Sequence, residues 1–125
     1  MAEYKGILNP VPKNRGGYEN YSTTEHEIGK WVDGRVLYEK TIDCGALPNA
    51  SAKTVSHNIS NIKEVVDIKG VFGDGSSWFM INNANPSQLI AQIQVVVNTL
   101  NILITTAANL AQYNQTWVTI QYTKQ

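Results

Sequence analysis

The stretch EIGKWVDGRVLYEKTI, residues 27–42, decides the fold class of this chain. In this stretch, Asp33-Gly34 separates two runs that contain apolar side chains, which is one of the strongest short-range signals of a β-hairpin. The favoured two-residue turn needs a positive φ at both central residues, and Asp-Gly tolerates it. Because side chains alternate along a strand, the second run should send Val36, Tyr38 and Lys40 to one face and Leu37, Glu39 and Thr41 to the other.

Further strands follow at short intervals, with turn-rich segments between them. Residues 53–58, 64–72 and 77–81 are predicted strands, and 73–76 and 82–87 are a turn and a loop. The last strand, residues 116–123, alternates most clearly. It should turn Val118, Ile120 and Tyr122 toward the core and Trp117, Thr119, Gln121 and Thr123 away from it.

Residues 88–111 have two interpretations. Their apolar positions fit one stripe of a helix, but they also fit two alternating strands, 90–97 and 101–106. The β-branched run 95–97 and the turn-like residues 98–101 favour the two strands. A partly helical segment stays the alternative.

The pattern as a whole indicates about seven or eight short strands at spacings of 8–12 residues. This is typical of an antiparallel β-sandwich, which we predict to be jelly-roll-like and to span residues 25–125. Residues 1–24 have no hydrophobic period, and Pro10 and Pro12 favour an extended backbone there. This N-terminal arm is either disordered or docked on a partner, since it carries more apolar side chains than an ordinary linker.

The net charge is zero, but the charged residues are unevenly placed. Nineteen of the twenty lie between Glu3 and Asp74, and the 49 residues from Gly75 to Thr123 contain none. The neutral balance argues against nucleic-acid binding. Asparagine and glutamine interrupt every apolar run in the uncharged part, which excludes a membrane-spanning helix. Residues 1–10 lack the apolar core of a signal peptide, so we expect synthesis in the cytoplasm.

The histidines and the cysteine do not form a catalytic or metal pattern. His26 and His57 have no serine or cysteine nucleophile motif beside them, and His57 is expected to be a strand-end side chain bonded to the backbone. The single Cys44 excludes an intramolecular disulfide and a Cys/His zinc cluster.

The acidic and glycine-rich segments indicate turns rather than ligand sites. Asp33 is assigned to the hairpin turn, and residues 70–75 lack the Lys-Ser/Thr and the helix of a phosphate loop. Asp43, Asp67 and Asp74 are not in the dense spacing of a calcium loop. We therefore predict no catalytic residue, no metal and no cofactor.

Neutral polar and aromatic side chains remain as binding chemistry. Thirteen asparagines and seven glutamines provide donors and acceptors, and Trp78, Trp117, Tyr113 and Tyr122 provide flat apolar faces. Amides beside an aromatic ring suit sugars, whose hydroxyls and C–H faces they match. The alternative, which we favour for Trp31, Trp78 and Trp117, is that the tryptophans lie in the core.

Four segments resemble one family in order. Residues 28–40 resemble the "IGKWIDGKPVYRK" hairpin of tailed-phage fibre and appendage proteins, and 43–49 match their "D-x-GALPN" turn. Residues 53–59 are similar to "K-x-V-x-HGI", with Asn58 in place of glycine, and 116–124 resemble "T-x-x-YVTLEYTK". The resemblance covers about residues 25–124 and leaves the arm out.

This resemblance implies a small β-sandwich that forms a homotrimer at the tip of a tail or head fibre, in the virion, and that often recognises host surface carbohydrate. It implies no catalytic residues. The arm would then attach to other virion proteins or contact the trimer. A capsid decoration or fibre-anchoring protein without a ligand, and a stand-alone carbohydrate-binding module, are the alternatives.

The uncharged strands make a homotrimer plausible on physical grounds as well, because interface centres are depleted of charge and exposed strand edges normally carry it. Two amide-rich loops are the predicted receptor contacts, and their residues are Asn82, Asn83, Asn85, Tyr113 and Asn114. The alternative for both loops is the rim of the trimer.

Overall fold

The structure, a computed structural model, describes residues 21–81 and 93–125. These residues form eight β-strands: β1 (His26–Lys30), β2 (Val36–Asp43), β3 (Ala52–Ser56), β4 (Ile62–Gly73), β5 (Trp78–Met80), β6 (Ile93–Val97), β7 (Asn101–Thr106) and β8 (Gln115–Lys124). The predicted loop 82–87, the start of the predicted strand 90–97 and most of the arm lie outside the described residues. Within the described ranges there is no helix long and apolar enough to cross a membrane.

The strands form two antiparallel sheets. One has the order β1-β2-β8-β4-β5 and the other β3-β7-β6. Strand β2 pairs with β8 in the first sheet, and β3 pairs with β7 in the second. This nested pairing, alternating between sheets, is that of a hairpin rolled up as in a jelly roll. It confirms the predicted antiparallel β-sandwich. The helical alternative is wrong over residues 93–106, where β6 and β7 pair as a hairpin.

The core lies between the sheets and is built by the alternation predicted for the last strand. Val118, Ile120 and Tyr122 of β8 are fully buried, and so are Ile102 and Ile104 of β7. These side chains belong to one apolar cluster that both sheets share. The inward set predicted for residues 116–123 is confirmed.

The tryptophans are not in this core, so their predicted core placement is wrong. Trp31 is half-buried, while Trp78 and Trp117 are 51% and 37% exposed. The reason is strand parity. Trp117 alternates with the inward-facing Val118, and it pairs with Val71 of β4 on the side turned away from the second sheet.

The hairpin at Asp33-Gly34 exists, but its predicted two-residue turn is wrong. The Gly34 N–H donates to the Trp31 carbonyl at 2.9 Å, and the Trp31 N–H donates to the Arg35 carbonyl at 2.9 Å, which leaves a loop of three residues. Among the described residues of this loop, Gly34 alone has a positive φ, +86°. A three-residue loop needs that conformation only at its last position. The Asp33 carboxylate accepts the Arg35 N–H at 3.0 Å, as its predicted turn role requires.

Glu25 joins the entry of the first strand to the end of the last. The Tyr122 hydroxyl donates to Glu25 Oε1 at 2.7 Å, and Lys124 Nζ donates to both carboxylate oxygens at 3.0 Å. Partial burial opposes the ionised form, but these hydrogen bonds outweigh it and hold the Glu25 pKa below its ordinary value. Burial and the carboxylate together raise the pKa of Tyr122.

We expect Glu25→Gln to be less stable than the native chain at pH 7, and the difference to shrink as the pH falls below about 4.5. A carboxyl with a lowered pKa stabilises the fold above its ordinary pKa of 4.5, and this contribution is lost as the pH falls through the lowered value. Urea unfolding at pH 7, 5, 4 and 3 measures the difference. Glu64→Gln, at an exposed position, is the control. A difference that stays constant over this range would contradict the role of the charge.

Candidate functional site

Residues that carry the motif resemblance are used by the fold itself. The Asp43 carboxylate accepts the Gly45 N–H at 3.0 Å, and Gly45 takes a φ of +67°. Lys53 Nζ donates to the carbonyls of Cys44 at 2.6 Å and Ala46 at 2.8 Å. The turn after β2 is therefore closed by a side chain from β3, and these polar groups are occupied.

His57 is the strand-end histidine that was predicted. It is buried, its Nδ1 accepts the Ile59 N–H at 3.1 Å, and its Nε2 therefore donates to the Asn98 carbonyl at 2.8 Å. Its own carbonyl accepts from Lys40 Nζ at 2.9 Å. Asn58 follows with a φ of +56°, a conformation that asparagine tolerates and glycine adopts freely. This accounts for the asparagine at the family's glycine position.

The remaining titratable side chains serve turns or packing. Asp74 Oδ1 accepts the N–H groups of Ser77 and Ser76 at 2.9 Å, which lowers the Asp74 pKa. Cys44 is free and buried, and burial raises its pKa to about 11. Within residues 21–81 and 93–125 no three His, Cys, Asp or Glu side chains are grouped so that they could hold a metal ion.

The predicted receptor residues do not form one described cluster. Asn82, Asn83 and Asn85 lie outside the described residues. Asn114 is exposed in the loop before β8. Tyr113, its neighbour, is half-buried, and its ring packs edge-on against Phe72 and Phe79 with ring centroids 5.2 and 5.7 Å away. The Tyr113 ring thus helps to close the sandwich.

An exposed aromatic surface lies close to Asn114 instead, on the outward face of the five-stranded sheet. Trp78 pairs with Gly73, and Gly73 pairs with Gln115. A Cβ placed on Gly73 would come within 2.5 Å of Trp78 Cε3, so the indole lies across Gly73 in the space a side chain would fill. We call Trp78, Gly73 and Gln115 the Trp78 platform. It presents a flat ring beside an exposed amide.

A second feature of the same face is an open apolar cleft. Val71 pairs with Met80 and Trp117, and the adjoining row contains Lys69 and Thr119. The Thr119 and Thr41 hydroxyls lie 2.9 Å apart, and Lys69 Nζ is 5.6 Å from the centre of the Tyr21 ring. The cleft has a volume of about 600 Å³, within the usual range of ligand pockets. We call it the outer cleft, lined by Tyr21, Lys69, Val71, Met80, Trp117 and Thr119.

The outward face of the three-stranded sheet carries no charge. The strand registers place one row of Thr54, Leu103 and Val96 on this face, with small or amide side chains on either side. Val96 is 43% exposed. The only charged residue of these strands, Lys53, pairs with Ile104 and belongs to the inward set. We call this surface the neutral face, formed by Ala52, Thr54, Ser56, Gln94, Val96, Asn101, Leu103 and Thr105.

The comparisons with known proteins give no relative. No family model, no curated protein and no solved structure matches the chain. The site is therefore defined by its geometry. The sequence contained a signal for the Trp78 platform, because a hairpin turn at 74–77 sets Trp78 opposite Gly73, and a glycine leaves room for a neighbouring ring.

Gly73→Ala is expected to displace the Trp78 indole and to destabilise the chain by about 1–3 kcal/mol, because the added methyl overlaps the ring. Tryptophan fluorescence and urea unfolding measure the two effects. In a Trp78→Ala background the penalty should be smaller, with a remainder from the Ser77 carbonyl, which lies 2.6 Å from the added Cβ. An equal penalty in both backgrounds would show that the ring does not occupy this space.

Proposed function

We propose that this chain is a structural domain of a bacteriophage virion. It is the homotrimeric head of a tail or head fibre, which recognises bacterial surface carbohydrate and attaches to other virion proteins through residues 1–24. The order of the four motifs supports the family, and the antiparallel β-sandwich is the fold that the family implies. The observation that carries the proposal is the neutral face.

The neutral face has the composition of a surface covered by other copies of the chain. Its row of Thr54, Leu103 and Val96 is apolar at the centre and polar around it, and interface centres are depleted of charge in this way. In the part of the chain that the structure describes, β6 pairs with β7 alone and carries no lysine or glutamate to block further pairing. A closed rotational symmetry would use such a surface without leading to open-ended growth.

Val96→Lys is expected to convert the trimer to monomer at micromolar concentration, because it buries an unpaired ammonium at the centre of the contact. Size exclusion with light scattering measures the molar mass. Val32→Lys is the matched control, since Val32 is an 88% exposed valine in the β1–β2 turn and the same change there should leave the trimer intact. A Val96→Lys variant that stays trimeric would place the interface elsewhere.

The Trp78 platform is the surface that we propose for carbohydrate. The exposed indole offers a flat apolar face for the C–H side of a sugar ring, and Gln115 beside it offers a donor and an acceptor for hydroxyls. Asn114 precedes Gln115 and adds a second exposed amide. The predicted contacts at Asn82, Asn83 and Asn85 follow β5 in the chain and belong to the same proposal.

Trp78→Ala is expected to reduce binding to host cells or to an arrayed bacterial glycan at least tenfold, while the oligomer keeps its mass. Loss of one stacked ring and its hydrogen-bonded neighbours accounts for a change of this order. Trp31→Ala, in the β1–β2 hairpin at the other end of β8, is the control and should bind normally. Unchanged binding by Trp78→Ala would remove the platform from the receptor site.

A second candidate function is a virion decoration or fibre-anchoring protein without a ligand. It is favoured by the use of Asp43, Lys53 and His57 within the fold, since these motif residues then need no other role. The glycan and whole-cell screens separate the two functions. A trimer that binds no glycan and no cell would favour the purely structural role.

A further inference from the structure

The first described residue of the chain lies on the outward face of the five-stranded sheet. The Ser22 carbonyl accepts the Thr41 N–H at 2.9 Å, which fixes the chain beside β2. Tyr21 then lines the outer cleft, where Lys69 of β4 approaches its ring. The segment that precedes Tyr21 therefore leaves from the middle of a sheet face.

This face is apolar in one part and shielded from solvent in another. Val71, Met80 and Trp117 keep 39%, 68% and 37% of their surface exposed around the cleft. Thr119 is buried and Thr123 is fully buried on the same face, although the second sheet lies on the opposite side. Apolar surface of this extent, continuous with shielded polar groups, is a docking surface rather than ordinary exterior.

The sequence before Tyr21 has the length and the chemistry to occupy the cleft. Residues 7–12, Ile-Leu-Asn-Pro-Val-Pro, combine three large aliphatic side chains with two prolines that favour an extended backbone. Twenty extended residues reach up to about 66 Å, whereas a ten-residue strand such as β8 spans about 33 Å. The segment is long enough to run across the face and return to the cleft.

We propose that residues 1–20 bind in the outer cleft of their own chain, with Ile7, Leu8 and Val11 against Val71, Met80 and Trp117. The occupant is the same chain rather than a second copy because Tyr21 already lies in the cleft. The short tether then gives the segment a high effective concentration there. This inference does not rest on the proposed function. It places the arm on one sheet and leaves the neutral face of the other sheet for contacts between copies.

A disulfide trap tests the proposal in the full-length chain. In Leu8→Cys/Met80→Cys, mild oxidation should give a cross-link within one chain, seen as a single-chain mass on a non-reducing denaturing gel and as a linked peptide after digestion. The native Cys44 is buried and serves as an internal reference. Leu8→Cys/Val96→Cys, with the second cysteine on the neutral face, should give no intrachain cross-link.

A cross-link between chains would identify a second copy as the occupant, and no cross-link would leave the cleft without the segment; each result overturns the proposal. A second measurement covers a variant that fails to fold. The chain has two methionines, so methyl-labelled methionine gives two resonances. Ile7→Ser/Leu8→Ser should shift the Met80 methyl, while Lys5→Ser should not. An unmoved Met80 signal in the double variant also overturns the proposal.

Discussion

The rest of the structure depends on the pairing of β8 with neighbours on both sides. This strand lies between β2 and β4, and it pairs with β4 along its whole length. Its inward side chains Val118, Ile120 and Tyr122 are fully buried. Because a slip of one residue would turn these side chains to solvent, burial fixes the register of both neighbours. The two ends of the described chain are tied to the same strand by Glu25.

The outward surface follows from the same register. Once Val118 faces the core, Trp117 must face outward, and its partner Val71 goes with it. Two residues further along, Gln115 and Gly73 adjoin, and the glycine leaves the space that the Trp78 indole fills. The platform and the outer cleft are therefore two parts of one sheet face. The neutral face belongs to the other sheet, so ligand contact and contact between copies do not compete for one surface.

The strands with strict alternation could be predicted from the sequence, because their burial pattern is written in their side chains. The hairpin at Asp33-Gly34 and the inward set of β8 are of this kind. The turn geometry could not be, since a three-residue loop satisfies Gly34 as well as a two-residue one does. The tryptophans were misplaced because size suggests burial, whereas parity decides it. Lys53 and His57 acquire partners across the sheets only once the fold exists.

The central claim is that the neutral face is an interface between copies, and the mass of the native chain tests it most directly. Sedimentation equilibrium of the unmodified protein over a range of micromolar concentrations gives that mass. The account predicts a single species with three times the 13.8 kDa of one chain. A species of 13.8 kDa throughout the range would contradict it, because an uncharged sheet face would then be solvent-exposed in the functional form.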